Sequence, residues 1–108
     1  RVTIYCNKHE AEFICASEFA TAADAAQALT AAGAWRAIVT DGVKPAADVQ
    51  RGQPLIVARP AKVQIKQITG AGDVFMAQHI LAELDGAPPE EALKSAIGEA
   101  QNFVAGKI

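Results

Sequence analysis

The chain switches between two hydrophobic periods, and the switches mark its elements. Residues 2–6, Val-Thr-Ile-Tyr-Cys, are rich in β-branched and aromatic side chains and predict a short strand. Residues 10–14 predict a helical turn. Thr21, with Asp24 three places on, predicts a capped helix. Its apolar face is Ala22, Ala25, Ala26 and Leu29, and Gly33 is its stop. The alanines on that face predict close packing. Residues 35–40 are continuous enough for a buried strand, and Asp41-Gly42 opens a loop. Residues 55–58 predict a third strand, ended by Pro60. At residues 63–68, Val63 and Ile65 alternate with Lys62, Gln64 and Lys66, the pattern of a half-exposed fourth strand.

After Gly72 the period lengthens. The helix expected there buries Ala77, Ile80, Leu81 and Leu84 and ends at Gly86. Pro88 and Pro89 start the last helix, with Glu90 and Glu91 in its first turn. Its expected buried face is Leu93, Ala96, Ile97, Ala100 and Val104. Strands alternating with helices imply an α/β fold: a layered, mostly parallel sheet with flanking helices. Such sheets bind ligands beyond the carboxyl ends of their strands. Asn7, Thr40 and Thr69 all fall at expected strand ends, so three polar motifs are expected at one edge.

The richest chemistry is in Thr69-Gly70-Ala71-Gly72-Asp73. A strand-like run leads in and an apolar helical pattern leads out. Glycines let backbone N–H groups turn inward around an anion, and the helix adds the positive end of its dipole. Asp73 stands at the rim of that cup. An anion cradle with a carboxylate beside it suits phosphoryl transfer to a hydroxyl. The same segment also reads as a tight strand-to-helix turn, with Asp73 stabilising the helix end.

The bulk numbers narrow the setting. With 108 residues, 51% of them hydrophobic and 20% charged, the chain is one modest domain or a piece of a larger one. The net charge of -2 comes without a basic stripe, which argues against nucleic acid as a partner. Cys6 and Cys15 lack zinc-ligand spacing and read as free thiols in a reducing, cytoplasmic setting. No stretch is long and apolar enough to span a bilayer, and no signal peptide is visible. His9 and His79 lack a third ligand at sensible spacing. Trp35 and Phe103 read as core or interface residues.

Taken together, the motifs resemble the C-terminal part of a ribokinase-like (PfkB) carbohydrate kinase, a Rossmann-type fold. That family carries D-T-x-G-A-G-D-x-F, and this chain has Gln67-Ile68-Thr69-Gly70-Ala71-Gly72-Asp73-Val74-Phe75. Its upstream N-x-x-E is matched by Asn7-Lys8-His9-Glu10, and its V-T-x-G by Val39-Thr40-Asp41-Gly42. The resemblance covers residues 1–108 as the ATP-binding and catalytic portion, without the N-terminal acceptor-binding and lid portion. Two positions depart from the pattern. Gln67 replaces an Asp that helps form a monovalent-cation site, which leaves cation activation open. Pro45 replaces a second loop glycine, which predicts a differently shaped nucleotide loop.

The resemblance implies ATP and Mg2+ as cofactors and a sugar or nucleoside as small-molecule substrate. It makes Asp73 the general base, with Gly70, Ala71 and Gly72 as N–H donors to the transferring phosphoryl group. Thr69, Gly70, Gly72, Thr40, Gly42 and Asn7 would bind nucleotide or phosphate. Glu10 and Asn7 would organise the metal through water. The alternative is a module that binds nucleotide or phosphate, or self-associates as a homo-oligomer, and turns nothing over.

Overall fold

The computed structural model describes residues 1–62, 66 and 68–107. The chain divides into two compact units, Arg1–Arg59 and Pro60–Ile108.

In the first unit, β1 (Thr3–Asn7), β2 (Arg36–Asp41), β3 (Lys44–Gln50) and β4 (Ile56–Ala58) form one sheet in that order. β1 and β2 are parallel, joined through the helices α1 (Lys8–Cys15) and α2 (Ala22–Ala31). The pairs β2–β3 and β3–β4 are antiparallel, so the described sheet is mixed. The layered α/β reading stands, with a hairpin added at one side.

α2 forms where its sequence says. Thr21 Oγ1 accepts the Asp24 N–H at 3.1 Å, and Ala22, Ala25, Ala26 and Leu29 are buried. They pack with Ala11, Ala37, Val39 and Ala47 into one alanine-rich core. Small side chains let the helices lie close to the sheet, so little volume is left to vary. Arg51 closes the far end of α2: its Nη2 donates to Thr30 O and its Nε to Ala34 O. The Thr30 carbonyl, in the last turn of α2, also accepts the Gly33 N–H, and Ala34 lies just beyond the helix, so Arg51 bridges the helix end and the chain that leaves it. Near the start of the chain, the Arg1 guanidinium lies 4.2 Å from the centre of the Trp35 ring, which is half-buried rather than core.

The segment expected to be a loop after Asp41 is a strand. Gly42-Val43 forms a two-residue hairpin turn, and β3 follows at Lys44. Gly42 has φ 59°, at the first central place of the turn, where primed turns take glycine. Pro45 is tolerated because the register shifts there: Val39 pairs with Ala47 while Asp41 pairs with Lys44. The extra residue is a bulge, a place where a missing N–H breaks no ladder bond. β3 also holds Asp48, buried and clasped by Arg36 of β2. Arg36 Nε donates to Oδ1 at 2.9 Å and Nη2 to Oδ2 at 2.6 Å. This pairing lets a carboxylate sit inside a strand.

In the second unit, α3 (Ala71–Leu84) and α4 (Pro89–Val104) pack against each other. Gly86, φ 91°, turns the chain between them, and Pro89 occupies the first turn of α4. The buried face of α3 is Phe75, His79 and Ala82, not the expected Ala77, Ile80, Leu81 and Leu84, which are exposed. The helix is apolar almost all round, so periodicity alone does not select a face. Gln78 Nε2 donates to Ser95 Oγ at 2.8 Å and fixes the packed side. α4 buries Ala92, Leu93, Ala96 and Ile97, while Ala100 and Val104 are half-buried. Of the strand expected over 63–68, residues 63–65 and 67 lie outside the described residues.

Candidate functional site

Asn7 and Thr40 are register partners at the carboxyl ends of β1 and β2. The parallel pairing puts two of the three sequence motifs side by side in the first unit. Asn7 then starts α1. Its Oδ1 accepts the Glu10 N–H at 2.7 Å, and Glu10 Oε1 accepts the Asn7 N–H at 2.9 Å. This reciprocal capping box explains why α1 begins at Lys8, earlier than the turn expected from residue 10. Asn7 and Glu10 are both exposed. Outside the box stand the second carboxylate oxygen of Glu10 and the Asn7 side-chain amide. The free carboxylate oxygen of Glu10, open to water, suits a hard cation that keeps most of its water shell, and the Asn7 NH2 is left to donate to an anionic oxygen.

Lys8 Nζ donates to Phe19 O, and Glu12 Oε2 accepts the Phe19 N–H at 2.9 Å, so α1 is tied to the entry of α2. Asp41 lines a hollow with Thr21, Lys44, Pro45 and Val57. Gly42 is exposed at the hairpin tip, and a Cβ there would meet no neighbour, so its glycine is required by φ.

Cys6 sits one residue before Asn7, at the rim of the alanine core. Burial first, then the Glu10 carboxylate and Cys15, push its thiol up to about 11 from 9.0. At pH 8 it carries about a hundredfold less thiolate than an unshifted thiol. Iodoacetamide should label Cys6 correspondingly slowly in the folded chain and readily in urea, as followed by peptide mass. Linkage gives the sign of the stability effect. Between about pH 9 and 11 the unfolded chain has lost a thiol proton that the folded chain keeps. Stability therefore falls as pH rises through that window, and Cys6→Ala flattens the fall.

Thr69, Gly70, Ala71, Gly72 and Asp73 belong to the second unit. Gly70 is the N-cap of α3, with φ 96°. It offers no capping side chain, so the helix opens on bare backbone. Ala71 N–H donates to Ile68 O at 2.9 Å and closes the bend. That turns Ala71 into the bend; Gly72 and Asp73 carry the first-turn N–H groups that no intrahelical carbonyl can take. Asp73 is exposed in the first turn of α3.

The two glycines differ. Gly70 needs its left-handed backbone, and a Cβ there would meet Phe103 Cζ at 3.2 Å. Gly72 is helical, and a Cβ there would meet nothing within 4 Å. The glycine shape requirement of this tight turn therefore rests on Gly70. Sequence reading missed Phe103 as the neighbour of this turn; an aromatic in the last turn of α4, among small and polar residues, was the available signal.

His79 is buried in α3, stacked on Phe75 with ring centroids 6.3 Å apart, and its Nδ1 is 3.8 Å from Glu83 Oε1. It is a packing residue. His9 is exposed, 3.8 Å from Glu12. Among the described residues, no group of three His, Cys, Asp or Glu side chains could hold a metal ion. No described helix is long and apolar enough to cross a membrane.

Residues 3–104 match the profile described as pfkB family carbohydrate kinase. The chain belongs to that family. Solved structures agree with this pfkB assignment. The chain resembles Arabidopsis thaliana ribokinase complexed with ribose and ATP, with 26% identity and a TM-score of 0.85 over 95% of this chain and 34% of that one. It resembles Thermotoga maritima ribokinase with 28% identity and a TM-score of 0.79, over 94% of this chain and 36% of that one. Adenosine kinase from Sinorhizobium meliloti shares the fold, at 23% identity and a TM-score of 0.81 over 95% of this chain and 31% of that one. This pfkB chain thus spans about a third of the length of the structures it matches. No curated protein matches it.

Proposed function

We propose that this chain supplies the nucleotide and phosphoryl-transfer part of an ATP-dependent kinase acting on a hydroxyl of a sugar or nucleoside. One observation carries the reading. In a chain of the pfkB family, a left-handed glycine opens α3 on bare backbone amides, with a carboxylate in the same turn. Such an opening favours a polyphosphate, because unpaired N–H groups and the dipole both attract anionic oxygens.

Asp73 is the general base. It takes the proton of the acceptor hydroxyl as that oxygen bonds to the γ-phosphorus, and the bond to the bridging oxygen of ADP breaks. A carboxylate is a weak base for an alcohol. In a loose transition state the proton leaves late, and orientation counts for more than basicity. Gly70 and Gly72 form the backbone cradle for the charge on the transferring group, with Thr69 at its edge, while Ala71, whose N–H is taken by Ile68 O, shapes the bend instead of donating to phosphate. Asn7 and Glu10 would hold Mg2+ through water, and the ion would supply neutralisation of phosphate charge. Thr40 and Gly42 line the nucleotide. Such an enzyme works in the cytoplasm, where ATP is abundant.

A second reading has its own support. A chain about a third as long as the kinases it resembles binds nucleotide but turns nothing over by itself. Titration calorimetry of MgATP into the chain tests the shared part: heat of binding is expected, and its absence overturns both readings. Activity of the purified 108 residues on a panel of sugars and nucleosides separates them.

A further inference from the structure

We propose that Phe103, in the last turn of α4, is a positioning residue for the Thr69–Asp73 turn. The claim rests on the reading that this turn holds phosphate. The Phe103 ring lies where a side chain on Gly70 would be: an added Cβ would stand 3.2 Å from Cζ and 3.6 Å from Cε2. Gly70 is the residue whose φ of 96° aims the first-turn amides of α3.

Glycine reaches this backbone region at no steric cost, but it reaches many others as readily. A bend built on glycine alone is therefore an ensemble. A flat ring against the Cα face removes the alternatives in which that face swings outward. The helix end that carries the ring is tied to the preceding chain on both sides of Phe103. Gln101 Nε2 donates to Ala61 O, and Lys66 N–H donates to Val104 O at 2.6 Å. The Lys66 stem runs beside Gly106, with Cδ 3.4 Å from where a Cβ would stand. The end of α4 thus touches the incoming chain at residues 61, 66 and 70, and Phe103 makes the contact nearest the phosphate amides.

This gives the ring a consequence that simple packing lacks. The affinity of a site scales with the fraction of molecules in the competent bend. If removing the ring lowers that fraction to about a tenth, the Kd for MgATP rises about tenfold.

The test compares Phe103→Ala and Phe103→Tyr with the wild-type chain. MgATP affinity is read by calorimetry, and amide hydrogen exchange at Gly70, Ala71 and Gly72 by NMR. Phe103→Ala should weaken MgATP about tenfold and speed exchange at those amides, while Phe103→Tyr restores both. A double-mutant comparison with Gly70→Ala adds a second readout. The added methyl meets the ring only while the ring is present, so the two losses should combine to less than their product. Unchanged exchange at Gly70–Gly72 in Phe103→Ala, or losses that multiply, overturns the proposal. If the wild-type chain binds no MgATP, the kinase reading fails, and the exchange comparison still decides whether Phe103 sets the bend. Should Phe103→Ala not fold, Phe103→Leu gives the same comparison, keeping apolar volume without the planar ring.

Discussion

On the proposed reading, Asp73→Asn should lower phosphoryl-transfer turnover by about 10²–10⁴ while MgATP affinity changes only a few-fold. Asparagine keeps the size and shape of the side chain and removes its ability to take a proton. Asp73 is exposed in the first turn of α3, so the change meets no packed neighbour. Loss of the charge beside the helix dipole costs about 0.3–1 kcal/mol of stability, too little to unfold the protein. A drop in kcat with ADP and ATP affinities preserved is the signature of a group that acts in the transfer step. Turnover like that of the wild type would remove Asp73 from the mechanism.

The largest expected effect on stability is elsewhere. Asp48→Ala leaves the Arg36 guanidinium in a half-buried place without the carboxylate that now takes both of its forks. Breaking a buried pair from one side costs about 3–5 kcal/mol, a large share of the stability of any small domain. The urea midpoint should fall accordingly. Replacing both partners together, as Arg36→Met with Asp48→Leu, should recover most of the loss, because the penalty comes from a guanidinium that has lost its buried carboxylate. A single-mutant loss below about 1 kcal/mol would show that Arg36 reaches water when its partner is gone.

That ion pair also explains what the sequence concealed. Lys-Pro-Ala-Ala-Asp-Val-Gln has little intrinsic preference for a strand, and Pro45 argues against one. β3 forms because a residue twelve positions upstream neutralises Asp48 and because a bulge absorbs Pro45. Neither cause is local. α2 is the opposite case: its cap, its four buried positions and its end were all legible, since Thr21, the alanine spacing and Gly33 act within one element.

α3 was legible as a helix but not as to its face, because apolar residues surround it and only α4 chooses among them. In the candidate site, the glycine-rich turn and the Asn7–Glu10 pair were visible as motifs. What could not be read was the division of labour within them. That Gly70 carries the unusual backbone follows from where α3 begins, and its neighbour Phe103 lies more than thirty residues downstream.

The reciprocal bonds between Asn7 and Glu10 carry a consequence for how a cation could be bound. Asn7 Oδ1 and Glu10 Oε1 each face a main-chain amide. Direct ligation through those two atoms would compete with the donors and fray the start of α1. A hydrated ion, reached through its own waters, would leave the helix end intact. The first turn of α1 is thus a built-in gauge of inner- against outer-sphere binding.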